Sequence, residues 1–271
     1  MHQAGNLPHA YDPLIQEQEG KWIRSVLRGS VAITVIAICC FYTGLLDSKR
    51  LLEGIPSILS LTKESFPPNF HDARTWIRPL ADTLAMSVAG TALSIAMSLP
   101  LALLGARNTS PHPIVYYAAR AILNSLRSIP ELIMGILFVA AVGFGALPGV
   151  LALGLHSVGM VGKFFSEAIE HVDEGPVEAV KSAGAGPMQV IFHGVLPQVL
   201  PQMADVSLYR WEYNFRASTV MGMVGAGGIG FELMSSLRIM QYQDVSAILL
   251  IILLMVTLVD GLGSSLRKRF K

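Results

Sequence analysis

Long stretches without a formal charge constrain this chain more than any other feature. They cover residues 29–46, 83–106 and 132–162. An α-helix needs about 20 apolar residues to cross the hydrocarbon core of a bilayer, so the first two stretches each match one span. The third exceeds one membrane thickness and has turn-forming residues such as Gly143 and Pro148 in its middle. It therefore predicts two spans, near residues 130–146 and 148–168.

Composition points to the same class of protein. Hydrophobic residues make up 52% of the chain and charged residues 14%, whereas soluble domains average about 25% charged residues. The net charge of +1 gives no reason to expect a nucleic-acid partner. Cys39 and Cys40 are adjacent within an apolar run, which excludes a disulfide framework or metal site built on them. We therefore predict an integral membrane protein without a bound metal.

Two more apolar runs, near residues 199–224 and 245–263, bring the predicted count to six crossings. The start of the chain is too long and too acidic for a cleaved signal peptide, so we expect a cytoplasmic tail there. The basic C-terminal end also predicts a cytoplasmic location, and six crossings agree with both. The predicted regions are a tail (1–28), a first transmembrane helix (29–47), an external segment with an amphipathic helix over 51–61 at the membrane surface (48–80), the transmembrane domain (81–265) and a basic tail (266–271).

A polar segment, residues 173–197, separates the fourth predicted span from the fifth and is punctuated by glycine and proline. Pro176 suits the first turn of a helix, and Gly184 can adopt the left-handed conformation that ends one. Pro187 can open a second short helix, which Gly194 loosens before the next apolar run. The sequence therefore predicts two short helices outside the bilayer, here called the elbow, in a form suited to docking on a partner.

The elbow resembles the "EAA" cytoplasmic loop of permease subunits in binding-protein-dependent ABC importers. The residues that carry the resemblance are Glu178, Ala179, Val180, Gly184, Leu196 and Pro197. The resemblance implies that the elbow forms coupling helices that sit in a groove on a separate ATPase subunit. It also implies the fold, an all-α polytopic membrane bundle of about six transmembrane helices of the type I, MetI-like kind. The alternative is an ordinary polar loop, since Val180 replaces alanine and Gly194 replaces isoleucine of the general pattern.

The fifth predicted span contains residues that are costly inside a membrane, namely Arg210, Glu212, Asn214 and Arg216. A charge at mid-bilayer costs about 2.5–3.5 kcal/mol on insertion scales. Glu212 and Arg216 stand four residues apart with the acid first, which favours a pair on one helical face, and Arg210 and Asn214 share a neighbouring face. Two interpretations stay open: a self-neutralising structural pair, or a path for an anionic solute lined by Arg216 or Arg210. Glu131, at the start of the third span, is a further pathway candidate or else a helix-start carboxylate.

Glycine recurs in the segment that follows the fifth span. Gly225, Gly227 and Gly230 match the spacing of the dinucleotide-binding motif GxGxxG. No soluble strand–helix–strand unit surrounds them, so that function is excluded. We expect these residues, together with Gly228, to break the helix and to allow close backbone approach.

This passage and the elbow together resemble the permeases for phosphonate, phosphite and related phosphorus oxyanions. The matching residues are Arg216, Ser218, Thr219, Val220, Gly222 and the ranges 224–230, 175–178 and 194–199. The likeness covers about residues 80–271. It implies a permease subunit in the bacterial inner membrane that translocates a phosphorus oxyanion delivered by an external binding protein.

The resemblance also implies the partners and the energy source. No cofactor is expected in this chain, because ATP and Mg would be bound by the ATPase. An ABC importer couples two ATPase subunits to two membrane halves, and this chain has one elbow and no internal duplication. We therefore expect a homodimer with two ATPase subunits, an external binding protein and membrane lipid. ATP-driven closure of the ATPases would push on both elbows.

Signals of an enzyme are missing from the sequence. His156 and His193 are isolated, no GxxxxGK[ST] loop is present, and no paired carboxylates mark a hydrolytic centre, so we expect no catalytic residues. We expect His156 to serve helix packing. Alternatives from other classes are an intramembrane enzyme acting on a phosphorylated lipid, with the charges of the fifth span as its site, and a secondary carrier or channel. Carriers commonly show two related halves, whereas only one interrupted region is found here.

Overall fold

The computed structural model describes the backbone of residues 12–269 and the side chains of residues 21, 22 and 25–269. The first eleven residues of the predicted N-terminal tail and the last two of the basic tail lie outside the described residues. The chain divides into two compact units, one up to Lys63 and one from Glu64 onward. Every element within residues 12–269 is helical, which confirms the all-α prediction.

The first unit contains α1 (Asp12–Tyr42) and α2 (Ser48–Glu64), which extends to the boundary. The stretch Ser25–Tyr42 of α1 is long and apolar enough to cross a membrane, and none of it is buried within the protein. α1 ends at Tyr42, before the predicted limit of the first transmembrane helix at residue 47. α2 is amphipathic, and five of its exposed apolar side chains are Leu51, Leu52, Ile55, Ile58 and Leu59. Their spacing places them along one side of the helix.

The second unit is a bundle of nine α-helices within the described residues. They are α3 (Ile77–Leu104), α4 (Pro113–Ser128), α5 (Glu131–Val142), α6 (Ala146–Glu170), α7 (Glu174–Ser182), α8 (Pro187–Val190), α9 (Leu196–Met221), α10 (Ile229–Arg238) and α11 (Tyr242–Arg267). Two π-helical turns interrupt the chain, Ile191–Val195 before α9 and Gly222–Ala226 after it. Sequence reasoning did not predict α10.

In the described part of the chain, four helices are long and apolar enough to span a membrane: the apolar part of α1, α3, α6 and α11. Two bent pairs raise the number to six, in line with the predicted count. The first pair is α4 and α5, with a bend of 86° between them. The second pair is the continuous stretch 187–226, which includes α8 and α9, and α10, with a bend of 58°. The third predicted span, near residues 130–146, corresponds to α5, which alone is only 12 residues long and reaches the length of a span only together with α4.

α6 is the central helix of the second unit, because small residues let its neighbours approach its backbone closely. A Cβ on Gly159 would lie 2.6 Å from the carbonyl oxygen of Leu123 in α4, and one on Gly90 of α3 would lie 3.1 Å from the Cβ of Leu153 in α6. Phe165 and Ile169 continue this core toward α9. α4 thus packs along α6 through one side, which contains its two buried residues, Ala119 and Leu123.

The start of α11 is tied to the segment that precedes α3. The Asn69 side-chain amide donates to Asp244 at 2.8 Å, and the Ser246 hydroxyl donates to the carbonyl of Ser65 at 2.7 Å. Trp76 packs with Ile229 of α10 and with residues of α11 in a separate buried cluster. At this end of the bundle, α10, α11 and the segment that precedes α3 therefore pack against one another.

Candidate functional site

The elbow folds as two short helices, as its glycines and prolines predict. Asp173 caps α7 by accepting the backbone N–H two residues later at 3.0 Å, and Gly184 follows α7 with a φ of +85°. α8 begins at Pro187, and Gly194 lies in the π-helical turn that follows. A Cβ on Gly194 would lie 3.2 Å from the Cα of Val177 in α7. Glycine at this position therefore permits the packing between the two halves of the elbow.

The residues predicted to contact a partner lie on the surface of the elbow. Glu178, Ala179, Gly184 and Pro197 are exposed, and Leu196 is half-buried. α7 contains no buried residue. A short amphipathic helix with no buried side of its own leaves a surface available for contact with another subunit.

One carboxylate joins three elements directly ahead of the elbow. Glu170, at the end of α6, pairs with Arg120 of α4 at 2.9 Å and accepts the backbone N–H of Arg107 at 3.0 Å. Arg120 also donates through Nε to the carbonyl of Gly105, just after α3, at 2.7 Å. Glu170 lines a cavity of about 440 Å³ whose other wall is the elbow. Movement of the elbow would therefore act on the ends of α3, α4 and α6 together.

The charged residues of α9 are neutralised from α11, and the expected pairing of Glu212 with Arg216 is wrong. Glu212 pairs with Arg267 at 2.9 Å. Arg216 pairs with Asp260 at 3.0 Å. Glu212 is only 5% exposed, and a Cβ on Gly263 of α11 would overlap its carboxylate, so glycine permits the close contact. The spacing of four residues favours a pair within one helix, but it does not take neighbouring helices into account. Here α11 supplies an oppositely charged partner for each residue.

Arg210 has different surroundings. Its side chain is 6% exposed, its Nε donates to the hydroxyl of Ser157 at 2.7 Å, and its guanidinium carbon lies 4.2 Å from the centre of the Tyr213 ring. Its Nη2 is buried without a hydrogen-bond partner. Among the ion pairs of the described residues, none involves Arg210. The guanidinium is therefore held by neutral groups.

Asn214 extends the same polar cluster. It is fully buried, donates to the hydroxyl of Thr91 in α3 at 2.9 Å and accepts from Ser157 at 3.0 Å. Arg210 and Asn214 thus share Ser157, which confirms that they lie on one face of α9. These contacts join α3, α6 and α9 through hydroxyl and amide groups.

Glu131 reaches this cluster through Tyr213. The Tyr213 hydroxyl donates to Oε1 of Glu131 at 3.2 Å, and Oε2 is buried without a partner. Nδ1 of His156 lies 3.0 Å from the carbonyl oxygen of Ile129, in agreement with a packing role. The structure therefore brings Glu131, Arg210 and Asn214 together and places Glu212 and Arg216 in separate ion pairs.

The glycines after α9 break the helix as expected. Gly225, Gly227 and Gly228 have φ values of +102°, +75° and +75°, in the left-handed region that favours glycine. A Cβ on Gly230 would overlap the carbonyl of Thr219, so this glycine permits a close backbone contact. The chain thereby turns from α9 into α10.

Sequence reasoning missed several residues that complete these sites. Ser157 and Tyr213 organise the cluster around Arg210, and no local pattern distinguishes them from ordinary helix residues. Asp260 had a signal, since a carboxylate within an apolar run is costly and needs a partner. Arg267 was assigned to the basic tail. Within the part of the chain that the structure describes, no three His, Cys, Asp or Glu side chains converge as a metal site.

A bundle of apolar helices with an exposed helical elbow and a buried polar cluster defines a polytopic helical membrane protein. Residues 98–271 match the model of a family described as the binding-protein-dependent transport system inner membrane component. The chain belongs to this family. It is therefore the membrane component of an ABC importer whose ATPase is a separate subunit, and it works with an ATPase and a binding protein. This excludes the intramembrane-enzyme and carrier alternatives.

Individual relatives extend the comparison. The chain is 68% identical over 250 residues to the phosphite transport system permease protein PtxC of Stutzerimonas stutzeri, covering 92% of this chain and 91% of the relative. It is 44% identical to the phosphate-import permease protein PhnE of Mycolicibacterium smegmatis, covering 80% of this chain and 41% of the relative. An inward-facing structure of the MetNI methionine ABC transporter matches with a TM-score of 0.63 and 23% identity, over 72% of this chain and 96% of that one. The latter shows the type I, MetI-like fold.

Proposed function

We propose that this permease moves a phosphorus oxyanion, with phosphite as the first candidate, from an external binding protein across the inner membrane. The observation that carries the proposal is the 68% identity to a phosphite permease over nearly the full length of both chains. The similarity to a phosphate-import permease supports the broader class of solute. A buried guanidinium without a carboxylate partner is also suited to an anionic solute.

Both termini and the elbow lie in the cytoplasm in the proposed topology. Six crossings, with each bent pair counted as one, place all three on the same side. The basic residues at the end of α11, Arg267 and Lys268, support the cytoplasmic assignment. The exposed apolar side of α2 then rests on the external membrane surface.

The elbow is the proposed contact with the ATPase, which binds ATP and Mg. Glu178, Ala179, Gly184, Leu196 and Pro197 form the contact surface, and their position on the elbow surface supports this role. The contacts of Glu170 with α3 and α4 provide a route by which the elbow moves the membrane helices together. Two conformations with different elbow contacts are needed for such coupling.

We expect two copies of the chain in the complete importer, with two ATPase subunits. The path for the solute lies between the copies, where the exposed Arg216 can line it. Arg210, Glu212, Asn214 and Glu131, which the sequence also placed on the path, contact it from inside each copy, since the first three are buried. Arg216 and Asp260 support this arrangement, because their side chains are 45% and 43% exposed on helices long enough to span the membrane. An exposed ion pair at that depth favours a water-filled path or a second protein chain over lipid.

Uptake into proteoliposomes tests the proposed function. The permease is reconstituted with its ATPase and binding protein, and radiolabelled phosphite, phosphate and methylphosphonate are offered with internal ATP. We expect ATP-dependent uptake of phosphite, with slower uptake of the other two. Uptake of none of the three would overturn the substrate class and leave the family assignment unaffected.

The elbow and the dimer have separate tests. Glu178→Lys should abolish uptake and weaken co-purification of the ATPase, because it reverses a charge on the contact surface. Glu178→Gln, which removes the charge only, is the matched control and should retain more activity. Two differently tagged copies of the permease should co-purify, and failure to do so in an active importer would contradict the homodimer.

A further inference from the structure

The break between α4 and α5 lies within a pair of helices that are together long and apolar enough to span a membrane. The two helices meet at 86° around Ile129 and Pro130. Broken membrane helices are tolerated where the freed backbone groups are buried in protein or line a cavity. α5 has twelve residues, and its N-terminus presents backbone N–H groups with a partial positive charge. A helix start of this kind favours an anion.

Arg210 provides a second, independent observation at the same place. His156 contacts the carbonyl of Ile129 at the break, and the next residue, Ser157, holds Nε of Arg210 at 2.7 Å. Tyr213 connects Arg210 to the first turn of α5 from the other side. Nη2 of Arg210 is buried without a partner, and the Arg210 side chain contacts Tyr213, which donates to Glu131 in the first turn of α5. A buried guanidinium nitrogen without an acceptor is costly, and an anionic oxygen would satisfy it.

Glu131 is the anionic group now present at the start of α5. It accepts the Tyr213 hydroxyl through one oxygen, and its other oxygen is buried without a partner. It does not form an ion pair with Arg210 within the described residues. The charges of Arg210 and Glu131 are opposite, and the partial positive charge at the start of α5 is offset by the partial negative charge at the end of α4, so these groups together are about neutral.

We propose that the break between α4 and α5 is a transient site for the oxyanion in transit, with Glu131 as a resident competitor. Arg210 supplies the charge-assisted hydrogen bond through Nη2, and Tyr213 turns its hydroxyl from Glu131 to the solute. The Glu131 carboxylate repels the bound anion and so keeps the site from trapping it. This inference rests on the proposed transport of a phosphorus oxyanion.

Phosphite uptake in the complete reconstituted importer tests the role of Arg210. Arg210→Met should lower uptake about tenfold or more, since a hydrogen bond to a charged group is lost in transit. ATP hydrolysis stimulated by the loaded binding protein should persist, because the elbow is unchanged. Arg210→Lys keeps the charge and should recover part of the uptake. Wild-type uptake in Arg210→Met, or no recovery in Arg210→Lys, would overturn the site.

Glu131→Gln and Tyr213→Phe distinguish a binding role from a structural one. Removing the competing charge in Glu131→Gln should lower both the half-saturating phosphite concentration and the maximal uptake rate. Tyr213→Phe should raise the half-saturating concentration. Unchanged values in both variants would contradict the proposal. If the wild-type importer takes up no phosphorus oxyanion, both the proposed function and this inference are contradicted. If the wild type takes it up and the variants behave like the wild type, only this inference is contradicted.

Discussion

α9 contains two kinds of charged site, and their surroundings differ. Glu212 and Arg216 are each matched by an opposite charge on α11. Arg210, two residues before Glu212, is held by a hydroxyl and an aromatic ring and keeps one nitrogen unpaired. Glu212 and Arg216 each have an oppositely charged partner within the fold, although one oxygen of Glu212 is buried without a hydrogen bond. An arginine with a free donor remains available to a passing anion.

Charged residues with an ion-pair partner are therefore expected to stabilise the fold, whereas Arg210 is expected to interact with the solute. Removing one member of a buried ion pair leaves the other uncompensated, which costs several kcal/mol. Removing Arg210 does not break an ion pair, because none of the ion pairs among the described residues involves Arg210. Variants of the buried Glu212–Arg267 pair should therefore change unfolding first, and variants of Arg210 should change transport first.

The largest effect on stability is expected for Arg267→Met. The variant leaves Glu212 buried without a cation and should lower the free energy of unfolding by about 3 kcal/mol. Denaturant unfolding of the purified permease in detergent measures the change. The double variant Arg267→Met with Glu212→Gln should regain part of the loss, because no unpaired charge remains. A double variant as unstable as the single one would show that the pair is not the cause.

A smaller effect is expected for Gly263→Ala. The added methyl group would overlap the Glu212 carboxylate and force α9 and α11 apart. Overpacking of this kind costs about 1–3 kcal/mol. Gly261→Ala is a matched control, since nothing lies within 4 Å of a Cβ at Gly261. The same unfolding measurement should separate the two variants, and equal stability would contradict the close contact.

On the Arg210 side of the comparison, Thr91→Val tests the neutral cluster. The variant removes the oxygen that accepts from Asn214 at 2.9 Å without changing the size of the side chain much. We expect a loss of about 1 kcal/mol, since hydrogen bonds between membrane helices are individually modest. Unfolding should be measured beside uptake. A loss as large as that of Arg267→Met would erase the distinction between the two regions.

The smallest stability change is expected for Asp260→Asn. Both members of its pair with Arg216 are nearly half exposed, so the loss should stay below about 1 kcal/mol. Phosphite uptake should nevertheless change, because Arg216 would gain a free charge on the proposed path. A stability loss of several kcal/mol together with normal uptake would move this pair to the structural class.

Local features of the fold were predictable from the sequence. Pro187, Gly184 and Gly194 mark the start, end and loosened turn of the elbow helices because proline and glycine restrict or free the backbone within one or two residues. The glycines after α9 were predictable for the same reason. The elbow is therefore largely encoded by its own residues.

The partners of the charged residues were not predictable in the same way. Glu212 had a plausible local partner in Arg216, but its actual partner, Arg267, lies 55 residues later on another helix. The choice depends on how α9 and α11 pack, which a local pattern does not contain. Pro130 indicated in the sequence that a helix breaks before α5. The position of Arg210 relative to this break depends on the packing of α6 and α9, which no local pattern contains.

The most direct test of the account is phosphite uptake by the Ser157→Asp importer, measured beside Ser157→Asn. Both side chains have nearly the same size, and only aspartate gives Arg210 an oppositely charged partner, as Glu212 and Arg216 already have. The account predicts that Ser157→Asp assembles and hydrolyses ATP but takes up far less phosphite than Ser157→Asn. Equal uptake by the two variants would contradict it, because the charge of Arg210 would then be irrelevant to the solute.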